Sequence, residues 1–596
     1  KECDWSSDVC SSDLLEKIIG GIAMYISTVH IENFRNFTAI DIPLKQFSIL
    51  VGKNDTGKSN FIDAVNILLY NNKGNYYAKS LSKYDFNSTA IQEFQRTMSD
   101  TYRKLAGNFN IENYITALFE QAPKVIIRLR FCDATSPYEQ GLLKDWLNGD
   151  GEEQYFEIEY RYIIKNHESI NKQLQKLQAK DLLDDSCYKF DTYLEFYDYE
   201  LVSTNNNKPI DFRKIQNFCA NIIDAERDAF SSGDSAISTR VVSKIISKSL
   251  DIKDYTELIK KYEVFFSDIQ KMSSFKSIYK DIIDQNESIK QFIEEINLKP
   301  NAKKYKDILE NITLAYGQDM LFQRGLGTRN LILLLTLYSY FLNEDKERFN
   351  LVCIEEPEAH LDINNLQVAN DFFKKAKNRS SFVQLIISTH NNQIINKLEL
   401  DNITLLANDH SAITFYDIDS DLKYYLAKRE NFDTLNLLFA AKVILVEGAT
   451  EEIYLNYLFE RDKINNIRVI AIGQKGFKTF IDLWKAFHAD TTDKLGILRD
   501  FDYQTTAQAE HEAYNSETIC VKTTTGKEFE MDFVNQDSNL ELLNALFACK
   551  ENAKQMYERL TDDKLNNIIR ICEASAAATA FVVPSYVSSL LEWMKQ

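Results

Sequence analysis

Apolar and polar residues alternate in two runs that follow Met24, YISTVHIENF and FTAIDIPL, the two-residue period of strands with one buried face. Asn33-Phe34-Arg35-Asn36-Phe37 joins them as a hairpin turn. A largely apolar strand, FSILV, comes next, breaks at Gly52, and resumes as a helix with Phe61, Ile62, Ala64, Val65, Ile67, Leu68 and Leu69 on its apolar side. Alternation returns at Lys124 to Phe131 and Tyr155 to Ile164, with a further candidate strand at Tyr193 to Val202. From about Val241 to Ile296 the spacing changes to three and four residues, which predicts two or three helices ending at Pro300. A compact dimerisation bundle is the expected form, because the stretch is too short for a long coiled-coil arm. Buried strands then recur at Leu351 to Ile354, Gln384 to Ser388, Lys442 to Val446, Arg468 to Ile472 and Lys494 to Leu498, separated by helical patterns. Strands alternating with helices predict parallel α/β sheets.

Composition changes this picture little. The 596 residues suffice for several domains, and the apolar content is that of a globular protein. A net charge of −19 argues against a general basic coat for nucleic acid, so any DNA contact is local or assisted by metal ions. The nine cysteines are scattered without a CxxC pair, which suits a reducing cytoplasm. No apolar run is long enough to cross a bilayer, so no membrane role is expected; the longest candidate, Leu331 to Leu342, is short and interrupted by Ser and Thr. Residues 1–23 lack the features of a secretory signal, and SSDVCSSDL looks like translated adapter sequence, so the biological protein is expected to start at Met24.

The chemistry begins in the loop Gly52-Lys53-Asn54-Asp55-Thr56-Gly57-Lys58-Ser59, followed by Asn60. Strand before and helix after make it a phosphate-binding loop: glycines let backbone N–H groups face inward, and the helix dipole reinforces them. Lys58 is placed for the β- and γ-phosphates of ATP, and Ser59 for Mg²⁺. Downstream, Gln323 to Asn330 puts Gly325 and Gly327 at a helix start. Leu351 to Glu358 is an apolar strand ending in Glu355 and Glu356; the first would hold the Mg²⁺ shell, the second would orient or deprotonate water. A last buried strand ends in Thr389-His390, where His390 would sense the γ-phosphate.

The hairpin leading into the phosphate loop, and the order of loop, glycine turn, Glu-Glu strand and strand-His, resemble ABC-type ATPase heads of the RecF and SMC kind. That resemblance implies two composite sites and hence a homodimer. It places Arg35 near the nucleotide, although a structural hairpin arginine is an equal reading. The Gly325 turn departs from the usual signature, so ATP is expected to act chiefly as a ligand that holds one dimer state.

A second centre is expected beyond Asp433. Glu447 ends one strand, Arg499-Asp500-Phe501-Asp502 ends another, and functional residues of parallel sheets collect at carboxyl ends. Asp500, Asp502 and Glu447 form an oxygen set suited to Mg²⁺ or Mn²⁺, and Glu451, one helical turn after Glu447, adds a ligand for a second ion. Two ions flanking a phosphate favour nucleic-acid cleavage. The arrangement resembles a TOPRIM domain, and ATPase head plus TOPRIM in one chain resembles the OLD (overcoming lysogenization defect) nucleases, a family that includes the nuclease subunit of Gabija antiphage systems. GKNDTGKS, IEEPEAHL, IISTH, LVEGATEE and RDFD carry the likeness. It implies metal-dependent DNA nicking or cutting regulated by ATP, dimers or tetramers formed through the helical insertion, and a UvrD-like helicase subunit as a partner if the chain works in a Gabija system. It also implies a further metal-binding acid in CVKTTTGKEFEMDFV, with Glu530 first and Asp532 second, and Lys527 beside the scissile phosphate. Solvated loop charges are an equal reading for these three.

The expected organisation is a leader at 1–23, ATPase halves at 24–235 and 306–430, a helical insertion at 236–305, and a TOPRIM domain at 431–596. The competing functional reading is a RecF/SMC-like DNA-binding ATPase switch without nuclease activity. A primase or topoisomerase fits less well, since neither a zinc ribbon nor a tyrosine-nucleophile domain is visible.

Overall fold

The computed structural model describes residues 24–71, 80–105, 110–149, 154–180, 188–224, 246, 250–273, 315–342, 348–379, 383–398, 400–407, 411–415, 420, 423–424, 433–473, 476–488, 491–577 and 581–596. The expected leader and the expected boundaries at 235/236, 305/306 and 430/431 lie outside these residues.

Three sheets organise the chain. The first is antiparallel: β1 (Tyr25–Phe34), β2 (Phe37–Pro43), β5 (Val125–Cys132), β6 (Leu147–Asn148), β7 (Tyr155–Ile164) and β8 (Tyr197–Ser203), in the order β2-β1-β5-β7-β6 with β8 also on β7. Its alternating residues bury one face, as the two-residue period requires; β5 alternates buried and half-buried positions throughout. The second sheet contains β3 (Phe47–Gly52), β4 (Tyr70–Asn71), β9 (Phe218–Ile223), β12 (Phe349–Glu355), β13 (Val383–Thr389), β14 (Ile403–Leu406) and β15 (Ala412–Thr414), ordered β15-β14-β3-β13-β12-β9-β4. All its pairings are parallel except β14 with β15. Residues of β3 and β13 are buried on both faces, which explains why these strands read as unbroken apolar runs. A short ribbon, β10 (Ala315–Tyr316) with β11 (Asp319–Met320), precedes the glycine turn. The third sheet, β16 (Lys442–Val446), β17 (Arg468–Ala471), β18 (Lys494–Arg499) and β19 (Ile519–Thr523), is wholly parallel in the order β17-β16-β18-β19.

The second and third sheets share one apolar core, in which Ile49, Val51 and Leu405 pack in the same cluster as Val443, Leu445 and Trp484. Helix α4 (Asn392–Lys397), which follows His390, meets helix α5 (Thr434–Phe439), which precedes β16. Asn392 donates to Asp433 Oδ1 at 3.1 Å, and the same oxygen caps α5 by accepting from the Asn436 amide.

Of the expected helical insertion, one long helix lies within the described residues, α2 (Ile252–Lys271), with Val264 and Phe265 exposed. Among the described residues, no helix is long and apolar enough to cross a bilayer.

Candidate functional site

The phosphate loop sits between β3 and helix α1 (Lys58–Leu68). Gly57 has φ +108°, and a Cβ there would lie 2.5 Å from the Phe37 ring and 2.7 Å from Asn36 Nδ2. The hairpin turn therefore buttresses the loop: Asn36 donates to the Asp55 carbonyl at 3.3 Å and accepts from Asn60 Nδ2 at 2.7 Å. Gly57→Ala is expected to lower stability by about 1–3 kcal/mol through backbone strain and to weaken ATP binding. Thermal melting and a fluorescent-nucleotide titration would check both effects.

Lys58 is buried, and its ammonium donates to the carbonyls of Gly52 (2.7 Å) and Lys53 (3.0 Å). Burial pulls its pKa down, against the attraction of Glu356, Glu358, Asp55 and Glu355. Glu356, with φ +40°, stands 3.9 Å from Lys58 Nζ and 2.7 Å from His390 Nδ1. The structure thus brings together the loop lysine, the second glutamate of the pair and the strand-end histidine. Glu355 is pushed up by burial and by Asp224, and is hydrogen-bonded to Ser59. Asn54 is exposed on the loop. Arg35 is committed elsewhere: it donates to Asp85 (3.1 Å), Asn60 (3.0 Å) and Asp63 (2.6 Å), bracing the hairpin against α1. Sequence reasoning missed Glu358, whose Oε1 accepts from Thr389 Oγ1 at 2.6 Å and the His390 amide at 3.1 Å, so it orients the histidine. The visible signal was a third acid just past the proline.

The glycine turn leads into helix α3 (Leu326–Leu342). Gly325 has nothing within 4 Å of a built Cβ, whereas one on Gly327 would meet the His360 carbonyl at 2.9 Å. Asn330 donates to the Ala359 carbonyl at 3.4 Å, so the turn packs on the loop that follows the paired glutamates.

At the carboxyl edge of the third sheet, Glu447 ends β16, and its Oε1 accepts from the Asp500 amide at 3.3 Å. Asp500 Oδ1 accepts from the Phe529 amide at 3.1 Å, at the start of helix α8 (Phe529–Val534). Helix α6 (Ala449–Asp462) buries Glu451, and α8 buries Glu530. Burial, followed by the charges of Glu451, Glu447 and Glu530, pushes Asp500 up to about 8. Glu447, Glu451 and Glu530 are also raised, chiefly by burial.

Asp502 has φ +47°, and its amide donates to the Lys527 carbonyl at 2.9 Å. The Lys527 side chain is half exposed and stands 3.9 Å from Glu528. Lys564, at the start of helix α9 (Lys564–Ala577), stands among the acids instead, donating to Glu528 (2.6 Å) and Glu530 (3.1 Å). No motif marks it in the sequence. Asp532 instead accepts from the amides of Thr525 (2.6 Å) and Gly526 (2.7 Å) and so shapes the preceding loop.

The donor set fits a divalent cation. Glu530 Oε1 is buried without a hydrogen-bond partner, and the acids Glu447, Glu451, Asp500 and Glu530 outnumber the cations Lys564 and Arg499 that act on them. Among the described residues, however, the group of three ligands drawn within 4.8 Å of one another is Glu356, Glu358 and His390, so the acids at the third sheet stand wider apart. Because the folded pKa of Asp500 lies above its unfolded value, its contribution to stability is present at low pH and lost as pH rises through about 8. Metal-free protein is therefore expected to melt at a lower temperature at about pH 9 than at about pH 6, and Mn²⁺ to stabilise it more at the higher pH. Differential scanning calorimetry checks both signs.

An ABC-type ATPase head built onto a TOPRIM domain is the class that these two parallel sheets and their edges define. Residues 24–395 match the AAA ATPase domain family, and residues 438–502 match the overcoming lysogenization defect protein-like TOPRIM domain. The chain belongs to the AAA ATPase domain family, and its TOPRIM segment is similar to that of overcoming lysogenization defect proteins. It is 24% identical to Endonuclease GajA of Bacillus cereus strain HuB5-5 over 80% of this chain and 78% of that protein. To Endonuclease GajA of strain VD045 it is 23% identical over 74% of this chain and 67% of the relative. The SMC head domain from Thermotoga maritima matches at 16% identity, over 64% of this chain and 94% of that one, with TM-score 0.26.

Proposed function

We propose that the chain is an ATP-regulated, divalent-metal-dependent DNA endonuclease acting in antiviral defence. The observation that carries this reading is the convergence of Asp500 with Glu447, Glu451 and Glu530 at one buried strand edge. Bound Mg²⁺ or Mn²⁺ would supply Lewis-acid stabilisation of the scissile phosphate and an activated water. Glu447, Glu451, Asp500, Asp502 and Glu530 are the residues to hold it. Lys564 offsets part of their repulsion and leaves a positive group beside the phosphate's path. In the ATPase, Lys58, Ser59 and Glu355 are assigned to nucleotide and its Mg²⁺, Glu356 to the attacking water, and His390 to the γ-phosphate.

Shared core and the Asn392–Asp433 hydrogen bond support a mechanical link between the end of β13 and the start of β16, through which nucleotide state reaches the nuclease. Exposed Val264 and Phe265 on α2, with the open helix start at Gly325, support homo-oligomers formed through the insertion and the heads. The relatives' name, Endonuclease GajA, supports the endonuclease activity; the resemblance stated from the sequence extends the proposal to a Gabija-type setting with a UvrD-like helicase as partner, in the cytoplasm. The test is incubation of supercoiled and linear DNA with Mg²⁺ or Mn²⁺, with and without ATP. Metal-dependent nicking or cutting is expected; intact DNA in every lane alongside ATP hydrolysis would leave only an ATPase switch.

A further inference from the structure

The last helix, α10 (Ser585–Lys595), packs against β18 and β19 of the third sheet. Two lysines at the strand starts hold its far end: Lys494 donates to the Trp593 carbonyl at 3.0 Å, and Lys442 to that of Met594. Asn539 holds the near end. Its Nδ2 donates to the carbonyls of Phe533 and Val582, 2.9 Å each, and its Oδ1 accepts from the Val582 amide at 2.7 Å. The segment before α10 is thereby clamped to the end of α8, the helix that carries Glu530.

Tyr586 lies in the first turn of α10 and is 8% exposed. It packs in one apolar cluster with Val446, Leu498, Phe529 and Phe533, which precede Glu447 and Asp500 and flank Glu530. Yet its hydroxyl has no hydrogen-bond partner, and Glu530 Oε1, on a side chain 4% exposed, has none either. Two buried polar atoms without partners at one cluster of acids are costly unless something else satisfies them. Burial and the charges of Asp532, Asp500, Glu451 and Glu530 raise the phenol's pKa, so it stays an O–H donor.

We propose that Tyr586 is a positioning residue of the nuclease centre, its hydroxyl donating a hydrogen bond to the oxygen donors that hold the divalent cation, Glu530 Oε1 or water on the ion. The inference rests on the metal-dependent nuclease reading and extends it: the C-terminal helix becomes part of the site rather than a cover. Partners of this outer kind typically tune metal affinity by fixing the orientation and basicity of the ligands.

The experiment is a titration of the full chain with Mn²⁺, without DNA or nucleotide, followed by calorimetry and by electron paramagnetic resonance of free Mn²⁺, for wild type, Tyr586→Phe and Asp500→Ala. Phenylalanine keeps the ring and its packing and removes only the hydroxyl. Tyr586→Phe is expected to bind Mn²⁺ roughly 10- to 100-fold more weakly, while the metal-free melting temperature stays the same or rises. Wild-type affinity in Tyr586→Phe, or a fall in its metal-free melting temperature, would overturn the proposal, the second because it would show a structural partner for the hydroxyl. If Asp500→Ala also binds like wild type, the metal reading itself fails and takes the proposal with it. Loss of binding in Asp500→Ala alone overturns only the role of Tyr586.

Discussion

Asp500→Ala is expected to reduce DNA cleavage by about three orders of magnitude, the equivalent of about 4 kcal/mol of transition-state stabilisation, while ATP binding persists. Asp500 is the acid on which the charges of Glu451, Glu447 and Glu530 all act, and its backbone amide and carboxylate tie β16, β18 and α8 together. Removing it would delete a proposed metal ligand and also relieve repulsion among the remaining acids. The variant should therefore be at least as stable as wild type when metal-free, and less stabilised by Mn²⁺. That combination separates loss of chemistry from loss of fold. Single-turnover cleavage with saturating Mn²⁺ measures the first and thermal melting the second. Cleavage at the wild-type rate would move the nuclease centre away from this sheet.

Lys58→Ala is expected to weaken ATP binding by roughly 100-fold, about 3 kcal/mol for the lost charge-assisted hydrogen bonds to phosphate. The side chain is buried beneath the loop, and two loop carbonyls orient its ammonium. Alanine removes the ammonium that stands 3.9 Å from Glu356. DNA cleavage at the third sheet should continue in this variant but no longer respond to ATP, because the nucleotide no longer selects a conformation of the head. A titration with a fluorescent ATP analogue gives the affinity, and plasmid cleavage over a range of ATP concentrations gives the coupling. An undiminished response to ATP would show that nucleotide reaches the nuclease by another route.

Residues at the ends of buried strands were legible because strand and loop are contiguous in sequence. Gly57, Lys58, Glu356, His390, Glu447 and Asp500 each follow an apolar run, and parallel pairing then brings those ends to one edge of each sheet. Residues delivered by helices far from any motif were not legible, in contrast to Glu451 and Glu530, which lie on helices next to the motif strands. Lys564 and Tyr586 sit in amphipathic patterns like those of any surface helix, and only the docking of α9 and α10 shows what they face. Lys527 came with the family resemblance; in the structure its carbonyl fixes Asp502 and its ammonium is half exposed. Arg35 could be read either way in the sequence; long-range partners at Asp63 and Asp85 are what commit it to bracing the hairpin. Most of the expected helical insertion falls outside the described residues, with α2 as the exception.

The most direct test of the central claim is anomalous X-ray scattering from crystals of the full chain soaked in Mn²⁺. The account predicts density in contact with Asp500 and at least one of Glu447, Glu451 and Glu530, and its disappearance in Asp500→Ala crystals. Mn²⁺ found only beside Ser59 and Glu355, with none at the edge of the third sheet, would contradict it.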